Sequence, residues 1–240
     1  MPDGGKKGHN GRYAPCRSHI MIEIGHISHP GRKRPLNEDS YDIDAPNGQA
    51  VLVDGMGGPD AGDIASAFVR DQVRRGLLAG ESPADALMNA GQALRIQRPA
   101  QSGNPCGASA VCVRWHGNGA ELAQVGTCRV LFWDGNALKA VSGSEADDAG
   151  QPAKSVPSIQ ALGITAGDKL RIAAAELPWR RGQALVLCTD AMLEQCRPAD
   201  LREILCDARA SAQEAAERML LLALRGDADE NLSALILRRA

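Results

Sequence analysis

Acidic residues close apolar runs in both halves of this 240-residue chain. Val51-Leu52-Val53 runs into Asp54-Gly55-Met56-Gly57-Gly58, and Leu185-Val186-Leu187-Cys188-Thr189 runs into Asp190. Asn37-Glu38-Asp39 follows Arg34-Pro35-Leu36, and Asp229-Glu230-Asn231 precedes the last apolar run, Leu232 to Leu237. A fold that gathers strand ends from distant segments would bring these carboxylates to one place. Hard divalent cations take oxygen ligands, and strand ends hold side chains more firmly than loops do. Taken singly each cluster has a plainer reading. Asp-Gly after a strand is usually a turn, and Asn-Glu-Asp is usually a solvated loop. Their joint occurrence makes a carboxylate-lined metal centre the reading to test.

The length fits one large domain or two small ones, and we read one domain over about residues 20–240. Residues 1–19, Gly-rich and basic without an apolar stretch, read as a disordered tail rather than a secretory signal. A net charge of −2 gives no argument for nucleic acid or an anionic membrane. No apolar run reaches the roughly 20 residues of a membrane span. Seven cysteines, an odd number without CxxC spacing, fit buried reduced thiols and a cytoplasmic location. His9, His19, His26, His29 and His116 have no zinc-ligand spacing, so a zinc hydrolase has little support.

Apolar alternation and turn residues predict strands at Ile22–Ile27, Gln49–Val53, Ala108–Trp115, Ala120–Val125, Arg129–Trp133, Ala137–Val141, Ala184–Thr189 and Leu232–Arg238. Helical spacing predicts helices from about Asp60 to Leu77, after Ser82-Pro83, over Pro198–Cys206 and over about Ala212–Leu224. Ser142–Ser158 reads as a loop. Two adjacent helices followed by a strand meander argue against a doubly wound sheet. The order fits an α+β fold in which two packed antiparallel sheets carry helices on both outer faces.

The motifs together resemble the metal-dependent type 2C protein serine/threonine phosphatases, in the compact bacterial form. Gly31 to Asp39 meets the pattern Gly-x-x-Arg-x-x-Asn-Glu-Asp, and Asp54 to Gly58 meets Asp-Gly-Met-Gly-Gly. Ala61-Gly62, Gly107-Ala108-Ser109, Gly126-Thr127-Cys128-Arg129, Thr189-Asp190-Ala191 and Glu230-Asn231-Leu232-Ser233 follow in the family's order. The resemblance implies two Mn²⁺ or Mg²⁺ ions, bridged by Asp54, with the Gly55 carbonyl on the first and Asp190 and Glu230 on the second. It implies that Glu38 and Asp39 position water, and that Arg34 grips the substrate phosphate. The implied reaction is hydrolysis of phosphoserine and phosphothreonine monoesters by metal-activated water, without a cysteine nucleophile. The implied partner is a phosphorylated protein, a serine/threonine kinase being one candidate, and the expected state is a monomer.

Four positions depart from the family pattern. Glu230 stands for an Asp, with Asp229 or Asp227 as the substitute in a shifted register; Thr127 stands for the acid of a third metal site, Ala191 for a glycine, and His29 for an Asp two residues before Gly31. If position 191 needs positive φ, alanine costs on the order of 1 kcal/mol there. Met56 stands where some family members have His, so no general acid is assigned. These departures keep an alternative open: a phosphoprotein-binding pseudophosphatase of the same fold.

Overall fold

The computed structural model describes residues 21–57, 61–97, 106–141 and 160–240. The expected tail and the expected loop at Ser142–Ser158 lie outside them. The N-terminal elements are β1 (Ile22–His29), β2 (Asp39–Asp44), β3 (Gln49–Met56), α1 (Gly62–Leu78) and α2 (Pro83–Gln97). A meander follows: β4 (Gly107–His116), β5 (Gly119–Val125), β6 (Arg129–Trp133) and β7 (Leu138–Ala140). After it come β8 (Ala173–Pro178), β9 (Ala184–Cys188), α3 (Asp190–Gln195), α4 (Pro198–Cys206), α5 (Ala212–Ala223) and β10 (Leu232–Arg239).

Among the described residues the strands form two five-stranded sheets, ordered β1-β10-β9-β6-β7 and β2-β3-β4-β5-β8. Neighbouring strands in both are antiparallel. Three apolar layers explain why the central strands read as unbroken apolar runs. Leu52, Val111, Leu185, Leu187, Leu235 and Leu237 fill the space between the sheets. Val51 and Val53, one step off Leu52 in β3, face α1 and α2 through Val69, Val73, Leu87 and Leu94. Val186 and Ile236 face the other way, onto α3 to α5 through Met192, Leu201 and Met219. A central strand is therefore apolar on both faces. Truncating Leu187 or Leu235, both fully buried, costs about 2–5 kcal/mol.

Two helices, α2 and α5, begin at side-chain caps. Ser82 Oγ accepts from the Asp85 N–H at 3.1 Å before α2. Ser211 and Glu214 form a reciprocal capping box at α5.

Three elements were not expected from sequence. The strand β2 covers Asp39–Asp44, so Asn37-Glu38-Asp39 is the entry to a sheet and not only a solvated loop. The edge strand β8 is Ala-rich and carries little strand propensity. Helix α3 spans six residues and has no side-chain cap, too short for helical periodicity to show.

Candidate metal centre

The register of β2 on β3 sets Asp39 directly opposite Asp54. Their sheet is built so that two carboxylates meet at one strand pair, an arrangement that costs energy unless a cation or a proton intervenes. Burial, first of all, pushes Asp54 well above the usual carboxylate range; the charges of Asp39, Asp190, Glu38 and Glu230 add to it in that order. Burial likewise raises Asp39, opposed by the Ser233 hydroxyl and reinforced by Asp190. Glu38 is raised too, mainly by burial.

Each acid is held by a local device. Glu38 lies against the N-terminus of α1, where its side chain takes a backbone hydrogen bond from Gly62. Its own N–H donates to Asn231 Oδ1 at 2.8 Å. Gly55 donates its N–H to the Glu38 carbonyl at 3.1 Å, and a Cβ on Gly55 would stand 1.9 Å from the Gly62 carbonyl oxygen. Only glycine permits that approach of β3 to α1. Asp190 is the first residue of α3, its Oδ1 accepting the Ala191 N–H at 2.8 Å. Thr189 just before it spends its hydroxyl on the Ser233 N–H, at 3.2 Å, and its own N–H on the Ser233 carbonyl, at 3.1 Å. This stitch fixes the end of β9 to the start of β10.

The segments 31–34 and 228–230 run side by side. Arg32 N–H donates to the Ala228 carbonyl at 2.7 Å, Lys33 pairs with Asp229, and Arg34 pairs with Glu230. The Arg34 guanidinium is bidentate: Nε reaches Oε2 at 2.8 Å and Nη2 reaches Oε1 at 2.7 Å. Gly31, at φ +79°, makes the close approach possible, since a Cβ there would lie 2.2 Å from the Glu230 carbonyl oxygen.

The structure thus brings Glu38, Asp39, Asp54, Gly55 and Asp190 to one edge, with Arg34 and Glu230 joined at its rim. Among the described residues no three His, Cys, Asp or Glu side chains already stand grouped as a ligand set. The donor chemistry nevertheless fits a cation. Asp39 Oδ1 is buried without a hydrogen-bond partner, beside a second, half-buried carboxylate.

Two departures from the family pattern lose their force. Ala191 is the second residue of α3, in helical backbone, so no positive φ is required of it. His29 Nδ1 accepts the Gly31 N–H at 3.0 Å, the same i to i+2 contact an aspartate would make in this turn. Thr127 instead faces Ser109, the cross-strand neighbour of Asp54: the two hydroxyl oxygens are 3.2 Å apart.

Sequence reasoning missed the supporting residues Ser28, Asn37, Asn231 and Ser233. Asn231 alone ties three points: it accepts from Glu38 and donates to the Pro30 and Leu36 carbonyls, both at 3.0 Å. The signal for Asn37, Asn231 and Ser233 was their position inside the two acidic motifs. Ser28 had no such signal.

The chain has the fold of the compact bacterial type 2C protein serine/threonine phosphatases. It is similar to the solved structure of PppA, a key regulatory component of T6SS in Pseudomonas aeruginosa. The TM-score is 0.77 at 26% identity, over 92% of this chain and 99% of that one. It is similar also to the Mycobacterium tuberculosis serine/threonine phosphatase PstP/Ppp, with TM-score 0.74, 23% identity, and 91% and 98% covered. The catalytic domain of PstP in complex with two manganese ions gives TM-score 0.74 at 22% identity, with 91% and 99% covered. No protein-family model matches the sequence, and no curated protein does.

Proposed function

We propose that this chain is a metal-dependent phosphatase that hydrolyses phosphoserine and phosphothreonine monoesters on proteins. The observation that carries the reading is the half-buried Asp39–Asp54 pair across β2 and β3, with Asp39 Oδ1 buried and unpartnered. Asp54, Asp190 and the Gly55 carbonyl are the groups to hold two divalent cations, Mn²⁺ or Mg²⁺, with Glu230 as a further ligand from the rim. Cations bound there supply positive charge to the phosphoryl oxygens and lower the pKa of water at the site.

The chain's own residues do the rest. Asp39 and Glu38 accept hydrogen bonds from water and orient it, because both carboxylates are fixed by the contacts described above. Arg34 binds the phosphoryl group. Its planar fork, which here matches the two oxygens of Glu230, matches two phosphoryl oxygens in the same way. Met56 offers no proton, so no side chain is assigned to the leaving alkoxide.

A second reading has a specific observation in its favour. Arg34 and Glu230 are each engaged with the other at both atoms, so the rim would bind phosphoprotein or metal only after that pair opens. A pseudophosphatase that binds phosphoprotein without turnover fits this. The test is hydrolysis of a phosphothreonine peptide by the full chain with Mn²⁺, with Mg²⁺, and with chelator. Phosphate release with metal alone supports the enzyme. Full activity in chelator sinks the two-metal reading, and peptide binding without release favours the pseudophosphatase.

A further inference from the structure

Three polar side chains, Asn37, Ser28 and Ser233, form a closed ring with Asp39. Asn37 Oδ1 accepts the Asp39 N–H at 3.1 Å. That contact orients the amide, so Nδ2 faces Ser28 Oγ and donates to it at 2.8 Å. Ser28 Oγ and Ser233 Oγ are 2.8 Å apart, and Ser233 Oγ donates to Asp39 Oδ2 at 2.6 Å.

With Asp39 charged, the direction of every hydrogen follows from the donor inventory. A backbone N–H can only donate, so Asn37 must present its oxygen to Asp39 and its NH₂ to Ser28. Ser28 then accepts from Asn37 and has its own proton for Ser233. Ser233 accepts from Ser28 and sends its proton to the carboxylate. The polarity runs one way, Asn37 to Ser28 to Ser233 to Asp39, and ends on a group that can only accept when charged.

The ring also has a structural span. Ser28 and Ser233 are cross-strand partners in β1 and β10 of one sheet. Asp39 opens β2 of the other sheet. Three strands from the two sheets thus fix one oxygen of Asp39, while the other oxygen, buried and without a partner, is left for the acidic cluster.

We propose that Ser28 and Asn37 are positioning residues for Asp39, acting through Ser233 to hold one carboxylate oxygen so that the other serves the cation site. The inference rests on the metal-dependent reading given above and extends it to residues that touch neither metal nor substrate. Hydrogen-bond partners that orient a site's carboxylates typically change metal affinity about 10–100-fold when removed.

The experiment is Mn²⁺ titration calorimetry on the full chain with Ser28→Ala, Ser28→Thr, Ser233→Ala and the Ser28→Ala/Ser233→Ala double variant, each also melted in chelator. Ser28→Ala should weaken Mn²⁺ binding about 10-fold, with its metal-free melting temperature close to the parent's. Ser28→Thr, which keeps the hydroxyl, should bind like the parent. The double variant should bind no more weakly than Ser233→Ala, because both serines act along one path. Parent-like Mn²⁺ binding by Ser28→Ala, or fully additive losses in the double variant, overturns the proposal. If the parent protein binds no Mn²⁺, the phosphatase reading fails first. A crystal structure of Ser28→Ala then decides the positioning role separately: a rotated Asp39 carboxylate supports it, and an unmoved one overturns it.

Discussion

Arg34 and Glu230 are 196 positions apart and meet as a fork on a fork, two hydrogen bonds at 2.8 and 2.7 Å. Both side chains are about half exposed, at 49% and 56%, and such pairs contribute only about 0.2–1 kcal/mol. The pair is therefore easily opened, and its two members are free to be claimed by different ligands. Glu230→Gln should weaken Mn²⁺ binding and, in chelator, should leave inorganic phosphate binding as tight or up to about 5-fold tighter, because Arg34 has lost a competitor. Asp229→Asn, which releases only Lys33, should change neither. Calorimetry with each ligand on both variants checks this, and a damaging Asp229→Asn would move the ligand role to that residue.

Arg34→Ala should raise KM for a phosphopeptide while sparing metal affinity. A charge-assisted hydrogen bond is worth about 1.5–3 kcal/mol, so the increase should be about 10-fold to 100-fold. Steady-state kinetics at saturating Mn²⁺, alongside a Mn²⁺ titration, separate the two effects. An unchanged KM with lost metal binding reverses the assignment.

Asp54→Asn should remove turnover and leave the fold intact. The pH dependence of stability carries its own signature. Asp54 is raised by burial and by four neighbouring acids. A raised group contributes full stability below its unfolded pKa and loses it as pH rises through the folded one. In chelator the wild type should therefore lose stability relative to Asp54→Asn between about pH 4 and pH 8, and the variant should melt higher at pH 8. Thermal melts at pH 5 and pH 8 test the sign. A variant less stable than wild type at pH 8 contradicts the buried, repelled carboxylate.

Thr127→Asp places an oxygen ligand beside Ser109 and Asp54. Rate against Mn²⁺ concentration should gain a weaker, millimolar phase in this variant. A titration curve identical to the wild type's removes Thr127 from any account of metal binding.

The central strands were legible because both their faces are buried, so Val51–Val53 and Leu185–Leu187 announce themselves as apolar runs. Helix α2 was legible because Ser82, Pro83 and Asp85 state its start. Asp54 and Asp190 were legible because each ends such a run, and Glu230 because it stands just before one. What escaped were features set by tertiary pairing. Asp39–Asp44 is half-polar because β2 is an edge strand, and only its register on β3 makes it a strand at all. The ring through Ser28 depends on β1 lying beside β10, a pairing between the two ends of the described chain that no local pattern encodes.

That pairing has a consequence for how the protein is made. Among the described residues strand β1 has one neighbour in its sheet, β10, and Ser28, Pro30, Arg32, Arg34 and Glu38 all bond to residues between 224 and 233. While the chain emerges from the ribosome, β1 waits for its partner until β10 has been synthesised. A product cut short before β10 keeps Asp39 and Asp54 but has nothing to close the edge around them. Closure of the acidic edge is in this sense deferred to β10, and a fragment that stops before it lacks that closure.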